Sequence, residues 1–143
     1  LKPYESWFEK ARNDLQTAQE LLSDTHPALD TAIQYALESA TKSLEAFLKL
    51  WGQSFREQSP DEAGDLGELI DLCVETDPGF SSLSDPVEEL TAYGIIFRDP
   101  EEAEITPEKN EAAEAVRLAE NIYEFVAAKI RLNKEPPLDT NIE

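Results

Sequence analysis

Apolar residues recur along this chain at three- and four-residue steps, the beat of helices that bury one face. From about Tyr4 to Ser23, Trp7, Ala11, Leu15, Ala18 and Leu22 form one stripe. From about Pro27 to Trp51 a second stripe holds Ile33, Ala36, Leu37, Ala40, Leu44, Phe47, Leu48 and Trp51, and Gly52 follows as a natural C-terminal cap. A third helix is predicted over about Asp61–Glu75 through Leu66, Leu69, Ile70 and Cys73, its first half weakened by Gly64 and Gly67. A fourth, about Pro86–Phe97, carries Val87, Leu90, Tyr93 and Ile96. The last runs from Pro107 to about Asn133 through Ala112, Ala115, Val116, Ala119, Ile122, Val126, Ala127 and Ile130.

Punctuation agrees with this spacing. Pro27, Pro60, Pro86 and Pro107 each precede a periodic run, where a missing N–H costs a helix nothing. Ser59 with Glu62, and Asp85 with Glu88, have the spacing of reciprocal capping boxes, and Thr106 is a third candidate cap. Strand signals are nearly absent. The expected fold is all-α: an up-and-down bundle of about five helices over residues 4–133, with the shorter pair inserted between the long ones. Residues 134–143 contain Pro136 and Pro137, lack periodicity, and are expected to form a flexible tail. Ala32, Ala36 and Ala40 make a small-residue line that lets another helix approach closely, from the same bundle or from a second copy.

Composition narrows the function. The 143 residues suffice for one domain with its own core, and an apolar share of 41% separates the chain from acidic disordered sequences. Thirty-one acids against twelve bases give a formal charge of −19, and the bases form no run. Phosphate-gripping proteins draw affinity from clustered Lys and Arg, so duplex DNA is excluded as a partner, while a local pocket for one nucleotide remains open. No apolar run approaches the ~18 residues of a membrane span, and no basic-then-apolar signal opens the chain. The single Cys73, among acids in LIDLCVETD, reads as a small buried hydrophobe with no disulfide partner. A cytoplasmic location and no cofactor are expected.

Candidate chemistry is thin. Glu38 and Lys42 stand one helical turn apart with the acid first, a pair worth about 0.3–0.5 kcal/mol, unless Lys42 instead meets a phosphate or a partner's acid. Arg98 follows Gly94-Ile95-Ile96-Phe97 and precedes Asp99-Pro100, so it caps carbonyls at the end of the fourth helix or pairs with Asp99. Asp99, Glu101, Glu102 and Glu104 lack the alternating ligands and central glycine of an EF-hand. Glu108, Glu111 and Glu114 have no Glu-x-x-His partner for a di-metal bundle site. His26 reads as a surface residue beside Pro27. Trp7, Trp51, Tyr93 and Tyr123 read as core or interface aromatics on which a base could also stack.

The order of these features resembles the HEPN family of helical domains over about residues 5–132. Trp7, Ala11, Asp14, Leu15 and Ala18 are similar to that family's opening helix. Ala36-Leu37-Glu38-Ser39-Ala40-Thr41-Lys42-Ser43-Leu44 resembles its "aEkalKa" stretch. Asp65-Leu66 with Leu69-Ile70 looks like its "HDL..LL" segment, and Tyr93 with Arg98-Asp99-Pro100 like its "Y…RYP". Two positions depart: Gly64 stands where the family often has histidine, and Asp99 where it has the aromatic. Family ribonucleases pair an arginine with a histidine four to six residues later, whereas Arg98 is followed by DPEEAEITP. The resemblance thus implies a non-catalytic member that dimerises and binds a nucleotide or a partner protein, such as a nucleotidyltransferase-fold protein of a two-component, toxin–antitoxin-like system. The groove residues would be Glu38, Lys42, Tyr93, Arg98 and Asp99, with Arg98 facing an anion near a groove between subunits. A degenerate ribonuclease using Arg98 and a purely structural interaction module are the rival readings.

Overall fold

The computed structural model describes residues 1–53, 65–97 and 106–134. Five α-helices run through them: α1 (Pro3–Ser23), α2 (Leu29–Leu50), α3 (Leu66–Thr76), α4 (Ser84–Ile96) and α5 (Lys109–Lys134), with a 3-10 segment at Pro78–Leu83 between α3 and α4. No strand occurs among the described residues, and the all-α expectation holds. The tail from residue 135 and the predicted cap at Ser59–Glu62 lie outside them.

The helix ends explain where the expected boundaries moved. At the end of α2, Gly52 adopts φ +74° and donates to the Lys49 carbonyl at 3.0 Å, while Gln53 N–H reaches the Leu48 carbonyl at 2.8 Å. These are the two bonds of a glycine-terminated helix end, as the sequence led one to expect. α2 begins at Leu29 rather than Pro27. α3 begins at Leu66 because the Asp65 carboxylate accepts the Gly67 and Glu68 N–H groups. That cap is the physical content of the Asp-Leu pair. The Asp85–Glu88 box does not form: the 3-10 segment runs directly into α4, whose N-cap is Leu83 in helical conformation, so Asp85 and Pro86 lie inside the first turn. Thr106 is likewise not the cap of α5. Glu108 takes that place, its N–H donating to the Glu111 carboxylate at 2.8 Å and its carbonyl accepting from Ala112.

Packing makes α2 the axis of the bundle. Its C-terminal half, Ser43 to Leu48, is buried on every side, which a helix tolerates only when neighbours surround it. α1 folds back along it after the short 24–28 connection, α5 lies against both, and α3 and α4 close the remaining side. Ala32, Ala36 and Ala40 are all 0% exposed, so the small-residue line is consumed by the chain's own core. It leaves no face for a second copy. At the other end of the core Phe80, carried by the 3-10 segment, lies 4.3 Å from Phe47 and 5.0 Å from Phe125 between ring centroids. The segment is pinned there by Asp77, which accepts from Gly79 N–H at 2.9 Å and pairs with Lys129 at 2.8 Å. Lys129 first, then Gly79, holds the Asp77 carboxyl below the ordinary carboxylate range.

Candidate functional site

Of the residues singled out for a groove, Glu38 and Lys42 do meet, with a third partner that their spacing along α2 could not reveal. Lys42 Nζ donates to Glu38 at 2.9 Å and to Asp14 of α1 at 2.6 Å. Asp14 and Lys42 keep only 11% and 16% of their side-chain exposure, whereas Glu38 keeps 61%. Burial pulls the Lys42 ammonium down, but its bonds to Asp14 and Glu38 outweigh it and the net displacement is upward. This lysine is therefore a charged staple between α1 and α2. One turn away, Ser39 Oγ donates to the Ala11 carbonyl at 2.8 Å, a second polar tie across the same interface.

Tyr93 stands on α4 and faces a different neighbourhood. Desolvation, then Glu114, Glu111 and Glu89, pushes its hydroxyl up, so its surroundings are acidic residues of α5 and of its own helix. No hydrogen bond or ion pair joins it to the Glu38–Lys42 pair among the described residues. Arg98 and Asp99, and the acidic loop that follows, lie outside the described residues. At the start of α5, Glu111 is engaged as a cap and Glu114 with Arg117 through two of the guanidinium nitrogens. Among the described residues no group of three or more His, Cys, Asp or Glu could hold a metal ion.

His26 is exposed in the α1–α2 connection. Cys73 is wholly buried, and burial followed by the Glu45 charge pushes its thiol far above the ordinary range, which keeps it a neutral packing residue as expected. Glu45, 1% exposed in the C-terminal half of α2, is a buried carboxyl group that the apolar pattern passed over.

One concavity lies elsewhere, between the N-terminal half of α1 and the C-terminal half of α5. A groove of about 460 Å³ is lined there by Tyr4, Phe8, Arg12, Tyr123, Ile130 and Arg131 together with Glu5 and Glu9. Phe8 and Tyr123 stack face to face, centroids 4.6 Å apart and planes within 3°. Burial pushes the Tyr123 hydroxyl up, and the nearby Arg12 charge works against it. Sequence reading placed Tyr123 among several aromatics and, finding no run of bases, did not single out Arg12. Their meeting depends on how α5 returns across α1, which no local pattern encodes.

No helix among the described residues is long and apolar enough to cross a membrane. The profile of the HEPN domain family matches residues 4–131. Among solved structures, the crystal structure of TT1696 from Thermus thermophilus is similar, with a TM-score of 0.69 and 25% identity over 90% of this chain and 99% of that one. No curated protein matches the sequence. With the match extending from the first turn of α1 to the last turn of α5, the chain belongs to the HEPN domain family.

Proposed function

We propose that this HEPN domain works by binding rather than by catalysis: it pairs with a second copy and holds a nucleotide or a partner protein, as one half of a two-component nucleotidyltransferase system of toxin–antitoxin type. The observation that supports this reading is the placement of its only histidine. Cleavage at a ribose 2′-hydroxyl needs a proton acceptor near neutrality beside a cation for the phosphorane charge. The single histidine, His26, is exposed between α1 and α2, and the nine residues after Arg98 contain none. Lys42, in the middle of the central helix, is already held by two carboxylates.

Purified protein is expected to leave single-stranded and structured RNA intact, with no difference between wild type and Arg98→Ala. Cleavage that disappears in Arg98→Ala would establish the degenerate-nuclease alternative instead.

Pairing rests on a separate observation. Ile95 and Ile96 at the end of α4 are 65% and 54% exposed, a wet apolar pair that a second copy would cover. Light scattering at micromolar concentration is expected to give twice the 16.0 kDa chain mass. Ile95→Glu should shift it toward the monomer, and a monomeric wild type would remove pairing from the proposal.

A further inference from the structure

We propose that pairing through the exposed face of α4 is held back by like charge and is switched on when that charge is screened. The inference rests on the pairing reading above and names what regulates it. The face is built in two lines, because residues three, four and seven apart share one side of a helix. One line runs Glu88, Ala92, Ile95 and the other Glu89, Tyr93, Ile96; Tyr93 is half-buried and the rest are exposed. Each line begins in a carboxylate and ends in an isoleucine roughly 10 Å further along the axis. The last turn is seated from beneath. A Cβ on buried Gly94 would overlap the Leu37 side chain of α2, and Phe97 is buried beside it. That seating turns Ile95 and Ile96 outward.

No Lys, Arg or His occurs between Ser84 and Ile96, so no arrangement of two α4 faces sets a base of one copy against an acid of the other. The neighbouring turns of α5 deepen the imbalance. Glu114 and Glu111 join Glu89 around the Tyr93 hydroxyl, and Arg117 is tied to Glu114 through two guanidinium nitrogens. Covering the isoleucines with a second copy therefore draws two sets of carboxylates together, on two chains of net charge −19. Range decides how strongly they oppose contact. Carboxylates roughly 10 Å from the apolar end of each face lie within about 20 Å of their counterparts. The screening length is ~8 Å at 0.15 M salt, which largely hides one set from the other, and ~30 Å at 0.01 M, which does not. The contact thus forms at physiological ionic strength and opens below it, the reverse of an interface built on salt bridges.

Sedimentation of the intact chain between about 20 and about 200 mM NaCl measures the dissociation constant of the pair, which should fall about ten-fold across that range. Glu88→Gln/Glu89→Gln should pair about five-fold more tightly than wild type at the low end and lose most of the salt dependence. Glu9→Gln/Glu124→Gln removes the same charge by the α1–α5 groove, and should change pairing by about two-fold or less. Ile95→Glu should stay monomeric throughout. A dissociation constant that rises with salt, or does not change, would overturn the switch while leaving pairing in place. Equal tightening by the two charge variants would overturn it as well, since net charge alone would then account for the effect. A salt-tightened dimer that survives Ile95→Glu would take the switch away from α4. A wild type monomeric at every salt concentration would instead remove pairing itself, and the switch with it.

Discussion

Phe80→Ala is expected to cost about 3–5 kcal/mol, enough to lower Tm by roughly 10 °C or more in a domain of this size. Phe80 is 0% exposed, although it sits in a six-residue 3-10 segment that has little stability of its own. Its ring is the middle of a chain of three, touching Phe47 of the axial helix on one side and meeting Phe125 of α5 edge-on at 73° on the other. Removing it empties the aromatic link between α2 and α5 at that level and frees the 3-10 segment from its anchor. The Asp77–Lys129 pair, a quarter exposed on both sides, cannot hold the segment alone. Trp51→Ala is the control, because Trp51 also contacts Phe47 yet is 51% exposed. It should cost about 1 kcal/mol or less. Urea melts of both variants decide the matter. A Phe80→Ala loss no larger than that of Trp51→Ala would mean that the segment does not pack as described.

That contrast between two aromatics marks what periodicity could and could not convey. Repeating spacing identified the buried faces well: Leu66, Leu69, Ile70 and Cys73 on α3, and Ala112, Ala115, Val116, Ala119, Ile122, Val126 and Ile130 on α5 are all buried. Stripe membership is weakest at helix ends, where the last turn projects past its neighbours. Trp51 and Ile96 both continue a stripe and both emerge into solvent. Phe80 carried no signal, since a 3-10 segment of six residues is too short to show a period. The Asp85–Pro86 pair looked like a helix start because proline tolerates the whole first turn, and only the preceding segment's geometry shows that the turn had already begun.

The candidate site was legible to the same depth. Adjacency on one helix gave Glu38–Lys42, but Asp14 lies 28 residues away and required the packing of α1 on α2. The α1–α5 groove joins residues from opposite ends of the chain, beyond any local rule. The strongest compositional signal, the charge of −19, described the surface as a whole and said nothing of which bases are paired. Family membership, by contrast, was readable because it depends on ordered short motifs. One of them, Asp65-Leu66, turns out to be a cap and a core residue rather than chemistry.

Lys42→Met should destabilise the fold by about 2–4 kcal/mol, somewhat below the ~3–5 kcal/mol of a fully buried pair because both partners keep slight exposure. The methionine can fill the space of the lysine stem, so the loss comes from Asp14, whose carboxylate would stay between two helices without its cation. Asp14→Leu in the same background removes the stranded charge, and the double variant should recover at least about 1 kcal/mol of the loss. The gap between wild type and variant also changes with pH in a direction fixed by linkage. Because the folded state raises the Lys42 pKa above its ordinary value of 10.5, the unfolded chain gives up that proton first as pH rises. The staple's contribution is thus complete below about pH 10 and drains away as pH climbs through the folded value. Tyr93 and Tyr123 are also displaced upward, but whatever they add in the alkaline window they add equally in both proteins. The difference between the two stability curves should therefore be flat from about pH 6 to about pH 10 and shrink above it. A difference that grew with alkalinity would require the folded lysine to hold its proton less tightly than the unfolded one, which a 2.6 Å bond to Asp14 forbids.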